Sequence, residues 1–137
     1  MIVLLLFAIL IFLLTCTENV HELILYQQLH FRIKPHPDFH TFLAFTGYSF
    51  SSLNYITQKI GHGIFFFLFA VLLSRVMQNS INVIILSIGY AFVTEIAQLY
   101  FSRTGCLLDV FYDSIGVLFY FFVRILLLKK DYYQVES

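Results

Sequence analysis

Long apolar runs alternate with short polar breaks along this chain. Residues 2–14 are unbroken apolar sequence, extended by Thr15-Cys16-Thr17, and further runs begin near Lys59, Ile81 and Asp109. The last three approach the ~20 residues a helix needs to cross a bilayer, whereas the first is short for a span. Apolar residues come in continuous stretches and do not alternate, which argues against a membrane β-barrel. The pattern predicts helices over about 2–17, 59–77, 81–101 and 109–128, with turns at Gln78-Asn79-Ser80 and over 102–108. No Lys or Arg precedes the first run and no A-x-A site follows it, so it reads as an uncleaved helix and not as a signal peptide.

Residues 18–58 form the one long polar segment. Val20, Leu23, Ile24, Gln27 and Gln28 are spaced as in a short interfacial helix. Pro35 and Pro37 then break any helix. Phe39, Phe42, Phe45, Tyr48, Phe50 and Tyr55 follow among Ser, Thr and Gly, and amphipathic rings settle at the headgroup level. This is the expected aromatic interfacial loop.

Composition supports the same class. The 137 residues are 60% hydrophobic, 19% aromatic and 12% charged, with a mean hydropathy of +0.85. A soluble domain is about 45–50% apolar and about 25% charged. The expectation is one all-α integral membrane domain over 1–137: about four transmembrane helices in a small bundle, with membrane lipids as its surroundings. The formal net charge is zero and no basic cluster extends beyond Lys129-Lys130, which speaks against a nucleic-acid partner. Cys16 and Cys106 read as small apolar residues and not as a disulfide.

Against this background the polar residues inside the apolar runs stand out. Glu95 and Gln98 (i, i+3) share a helical face, as do Asp109, Asp113 and Gly116 (i, i+4, i+7), and Lys59 with His62. Consecutive helices that reverse direction carry all three faces, and the Arg103 turn, to one leaflet. Ionisable groups in membrane helices cost free energy and are read by default as functional and paired. Lys59, His62, Glu95, Gln98, Arg103, Asp109 and Asp113 are therefore the candidate ligand-binding set. Arg103 and Lys59 suit phosphate or carboxylate, and the three carboxylates suit an ammonium or the positioning of those cations. Glu95 or Asp109, with His62 relaying a proton, are the candidate catalytic groups if there is chemistry. The plainer reading pairs Lys59 with Asp113 and Arg103 with Glu95 as a structural cap.

Other signals carry less. His36 and His40 are i, i+4, but Pro37 lies between them; with Asp38 and His62 they make only a weak metal set, and no metal or cofactor is expected. Ser49, Ser51 and Ser52 lack a G-x-S-x-G context. Phe65-Phe66-Phe67 reads as lipid-facing or packing surface, and Gly61, Gly63, Gly89 and Gly116 as positions of close helix contact. With four spans, Arg75, Arg124, Lys129 and Lys130 share one side, which the positive-inside rule makes cytoplasmic. Arg32, Lys34, Lys59 and Arg103 balance them on the other side, but Lys59 and Arg103 are accounted for as site residues beside carboxylates. The polar cluster is thus expected on the extracytoplasmic side.

Lys59-x-x-His62 opening a helix, then Glu95-x-x-Gln98, Arg103, and Asp109 with Asp113 and Gly116, resembles the VanZ-like family of small bacterial membrane proteins. That family typically shows K-x-x-H-F, then E-x-x-Q-x-F-x-P-x-R, then D-x-x-x-N-x-x-G. The resemblance covers Lys59 to about Leu128. Gly63 stands in place of the usual Phe, Ser102 where a Pro is often close by, and Asp113 in place of the usual Asn, which adds a carboxylate. The resemblance implies a bacterial cell-membrane protein of the envelope, in a family named for low-level teicoplanin resistance. The expected role is binding or handling a polar envelope ligand: a lipid headgroup, a cell-wall precursor or a glycopeptide. The alternatives are a membrane-embedded enzyme on a lipid-linked substrate and a structural or regulatory membrane partner.

Overall fold

Side-chain caps decide where two of the apolar helices begin. Ser52 Oγ accepts a hydrogen bond from the Tyr55 backbone N–H, and Asn79 Oδ1 accepts from those of Ile81 and Asn82. Each cap satisfies donors that the first helical turn leaves without partners. The computed structural model describes residues 1–18, 23, 25–28, 30–43, 52–101 and 105–135, the side chains of Asn54 and of 128–135 excepted. Its elements are α1 (Ile2–Cys16), a short α2 (Phe39–Leu43), α3 (Leu53–Ser74), α4 (Ser80–Tyr100) and α5 (Leu107–Val135), with no strand among the described residues.

The protein is an all-helical membrane bundle, with boundaries that differ from the sequence pattern. The third helix starts at Leu53 and not near 59, because Ser52 caps it ahead of the apolar run. The last helix runs past 128 to Val135, since no Gly or Pro interrupts the polar residues that follow. Tyr55–Ser74, Ser80–Tyr100 and Leu107–Leu127 are long and apolar enough to cross a membrane. At 15 residues, α1 spans about 22 Å at ~1.5 Å per residue, against a ~30 Å hydrocarbon core. Three of the four expected spans therefore have crossing length.

The segment between α1 and α3 does more than lie on a surface. The Lys34 N–H donates to the Tyr100 carbonyl at 2.7 Å. Phe31 meets Phe101, Phe39 meets Tyr100 and Phe42 meets Phe92, all roughly edge-on. Its rings thus dock on α4 near its C-terminal end. Leu23, Leu25 and Tyr26 are helical, and Gln27 at φ 55° ends that turn in the left-handed region. Val20, Ile24, Phe45, Tyr48 and Phe50 lie outside the described residues.

The axial directions follow from the connections: α3 and α5 run parallel, α4 runs against both, and α3 and α5 make the most extensive contact. Phe66, Phe69, Ala70, Val83, Ala91 and Val117 fill the shared interior. Tyr90 of α4 stacks on Phe69 and donates its hydroxyl proton to the Ala8 carbonyl at 2.6 Å, which ties α1 to the bundle. Ile60, Ile64 and Leu68 on α3, and Phe111, Ile115 and Phe122 on α5, face outward. In water this surface would be a liability; in a bilayer it meets its solvent.

Gly116 makes the parallel contact possible. A Cβ there would fall on the carbonyl oxygen of Gly63, whereas a Cβ at Gly63 would sit 3.6 Å from the Tyr112 carbonyl, an ordinary distance. At Gly61 and Gly89 a Cβ would meet nothing, so the expectation of tight contact at those two is not met. Gly116→Ala should destabilise by about 1–3 kcal/mol through overpacking, although alanine gains up to ~1 kcal/mol in helix propensity. Gly63→Ala should be neutral within about 1 kcal/mol. Equilibrium unfolding in detergent checks the pair, and equal effects at the two positions would refute this account of the contact.

Candidate functional site

The buried polar residues of α3, α4 and α5 meet at one end of the bundle. Lys59 and His62 come from the first turns of α3, Glu95 and Gln98 from the last turns of α4, and Asp109 and Asp113 from the start of α5. Glu95 and Asp113 are wholly buried, and Lys59, Gln98 and Asp109 nearly so. This convergence unites six of the seven residues singled out in the sequence. The seventh, Arg103, lies outside the described residues.

Two contacts link α3 to α5. The Lys59 ammonium donates to Asp109 Oδ1 at 2.5 Å, and its Nζ lies 4.9 Å from the centre of the Tyr55 ring, a cation–π distance. His62 Nδ1 is 3.2 Å from Asp113 Oδ1. The pairing anticipated from sequence, Lys59 with Asp113, is therefore replaced by Lys59 with Asp109. The cause is axial: Asp109 lies a turn closer to the start of α5 and level with Lys59, while Asp113 lies level with His62. Asp109 also stands in the first turn of α5, where the helix dipole favours a negative charge.

Glu95 belongs to α4 but serves α5. Its Oε2 accepts the backbone N–H of Cys106, the residue just before α5, at 3.1 Å, and its Oε1 accepts from Gln98 Nε2. The chain comes this close because Gly105 has no side chain; a Cβ there would fall on the Glu95 carbonyl oxygen. Glu95 Oε1 lies 4.0 Å from His62 Nδ1, so the imidazole sits between two carboxylates. Asp113 Oδ2 is buried with no hydrogen-bond partner among the described residues. Cys16 and Cys106 are both buried, which fits their reading as small apolar residues.

Two cavities reach the cluster from different sides. One of about 180 Å³ lies between α1 and α3 and is lined by Ile11, Thr15, Gln58, His62 and Phe66 among others. The other, of about 700 Å³, is a groove between α3 and α5, walled by Ile60, Ile64, Leu68, Ile115 and Phe119, with Lys59 and Tyr55 at its polar end. No spacing signal in the sequence marks either cavity. Tyr55 and Tyr112, which both line the groove, carry no such signal either, since an aromatic near a helix start looks like any interfacial ring.

Residues 1–128 match the family described as VanZ/LLP1. An uncharacterized membrane protein of Bacillus subtilis (strain 168), YwnJ, is 37% identical over 106 residues, which cover 77% of this chain and 76% of that one. No solved structure matches. A family match across nearly the whole chain, together with a relative of this similarity, establishes that the protein belongs to the VanZ-like family.

Proposed function

We propose that this VanZ-like protein binds the polar head of an amphiphilic envelope ligand, with the ligand's hydrocarbon lying in the groove between α3 and α5. One observation carries the reading: Lys59 belongs both to the buried polar cluster and to the rim of an apolar groove of about 700 Å³. A phosphate or carboxylate entering at the rim meets the ammonium and the Tyr55 side, while an acyl or isoprenoid chain meets Ile60, Ile64 and Phe119. Pockets of this kind bury most of an amphiphile's apolar surface and use few polar groups to orient it. Lipid headgroups and lipid-linked cell-wall precursors are the ligand class, with glycopeptides a further candidate through the family's link to teicoplanin resistance. Arg103, next to the cluster in sequence, is proposed as a second anion contact. The basic residues Arg75 and Arg124 at the opposite end of the helices support placing the cluster at the extracytoplasmic leaflet of the cell membrane.

A second reading has its own support. His62 held between Asp113 and Glu95 is a geometry for proton transfer, which favours an enzyme acting on the bound headgroup with Glu95, Asp109 and His62 as candidate groups. The Lys59–Asp109 pair favours a purely structural role, and that role can be separated by experiment.

Lys59→Met alone leaves Asp109 buried and unpaired and should cost about 3–5 kcal/mol. Lys59→Met combined with Asp109→Leu removes both charges and should recover most of that loss, as read by thermal unfolding in detergent. A double variant no more stable than the single one would show that the pair is not an isolated couple.

Ligand binding is then read on stable proteins. A lipid at 100 times its Kd stabilises the folded state by about 2.7 kcal/mol, which appears as a rise of the thermal midpoint. Phosphatidylglycerol, a lipid-linked wall precursor and teicoplanin should be screened against wild type, Glu95→Gln and the Lys59→Met/Asp109→Leu variant. The expected result is a shift in wild type from at least one of them that is absent from the double variant. If nothing shifts the wild type, or the double variant responds equally, the cluster is architecture and the reading fails. Turnover of the stabilising lipid that is lost in Glu95→Gln without loss of fold would favour the enzyme.

A further inference from the structure

Charge bookkeeping across the cluster leaves a deficit. Among the described residues the buried carboxylates are Glu95, Asp109 and Asp113, and the buried cation is Lys59, which is committed to Asp109. Glu95 and Asp113 remain, with the His62 imidazole between them, in a region excluded from water. Isolated charges in such surroundings are paired, coordinate metals or are neutralised by protons.

The positions of the ligand atoms suit the second solution. One ligand atom each from His62, Glu95 and Asp113 lies within 4.8 Å of the other two. His62 Nδ1 is 3.2 Å from Asp113 Oδ1 and 4.0 Å from Glu95 Oε1. Metal–ligand bonds of about 2.1 Å put ligand atoms roughly 3.0–4.2 Å apart, depending on the angle at the metal. A second and independent observation is the wholly buried Asp113, whose Oδ2 has no hydrogen-bond partner among the described residues and so offers a spare lone pair. Glu95 is already oriented, with Gln98 Nε2 and the Cys106 N–H holding its two oxygens. Such outer partners are what metal-ligating carboxylates use to fix their direction. His62 also lines the cavity of about 180 Å³ between α1 and α3, which provides room for a water ligand and a route of entry.

We infer that His62, Glu95 and Asp113 form a binding site for one divalent metal ion. One imidazole and two carboxylates form a nitrogen–oxygen set suited to Zn²⁺, Mn²⁺ or Fe²⁺, harder than a thiolate site and softer than an all-oxygen Mg²⁺ site. Bound there, a dication balances Glu95 and Asp113 and leaves the Lys59–Asp109 pair untouched. The inference stands on these three ligands and holds whether or not a lipid occupies the groove. His36, Asp38 and His40, the histidine-rich stretch seen in sequence, are largely exposed and take no part in this group.

The test uses the full chain, purified in detergent and stripped with chelator, then titrated calorimetrically with Zn²⁺, Mn²⁺ and Mg²⁺ in the absence of added lipid. The expected result is one saturable Zn²⁺ or Mn²⁺ site per chain and little response to Mg²⁺. Asp113→Asn and His62→Ala should each weaken it by at least about tenfold. His36→Ala/His40→Ala should bind as wild type does. No saturable binding, or binding lost in the His36/His40 variant and kept in the other two, would overturn the inference. Should Asp113→Asn and His62→Ala fail to fold, the visible spectrum of wild type loaded with Co²⁺ decides. Bands of an imidazole–carboxylate complex support the site, and the spectrum of the hydrated ion refutes it. Because no lipid enters the titration, metal binding without a lipid effect, or the reverse, separates this inference from the ligand reading above.

Discussion

The close parallel approach of α3 and α5 at Gly63 and Gly116 sets the geometry of everything above it. Two helices that touch backbone to backbone have little freedom to slide, so this contact fixes their axial register. The register puts Lys59 level with Asp109 and His62 level with Asp113. A bulkier pair at the crossing would widen the gap, and side chains that now meet within hydrogen-bonding distance would not reach. α4 completes the arrangement from the opposite direction: Glu95 accepts the Cys106 N–H, so the carboxylate that enters the cluster also holds the start of α5.

Stability alone is a weak reason for such a cluster. Removing a carboxylate or ammonium from water costs several kcal/mol per ion, and well-packed apolar residues of similar volume often serve a fold as well or better. Here three buried carboxylates face one buried ammonium among the described residues, an imbalance that a purely structural cap would not need. A neighbouring cation, a ligand or protonation of the carboxyls would resolve it. The surroundings point the same way, since apolar side chains cover the outside of the bundle while its polar groups gather at one end next to two cavities.

Much of this was legible in the sequence because helical spacing reports faces. Lys59 with His62, Glu95 with Gln98, and Asp109 with Asp113 each declare a polar stripe in an apolar helix, and alternation of direction carries the stripes to one end. Spacing does not report axial register between helices that are distant in sequence. That is why Lys59 pairs with Asp109 and not with Asp113, and why His62, Glu95 and Asp113 give no metal signature: each ligand comes from a different helix. Helix ends were misplaced where a side chain and not hydropathy decides them, as at Ser52. The groove was invisible for a related reason, because its walls are the same Ile, Leu and Phe that cover a lipid-facing surface.

The two cavities open the cluster on two sides, which would suit two distinct jobs. Lys59 opens toward the groove between α3 and α5, and His62 toward the cavity between α1 and α3. An anion arriving along the groove meets the ammonium first and competes with Asp109 for it. A cation arriving from the other side meets the imidazole and the spare oxygen of Asp113 first. The two events would be coupled through charge, because a dication held by Glu95 and Asp113 would remove the negative potential that repels an anionic head from Lys59. At a few ångströms and low dielectric such a term is large compared with the free energy of a typical binding contact. A site that must accept an anion beside three carboxylates is therefore physically reasonable only with that cation in place, or with protons doing its work.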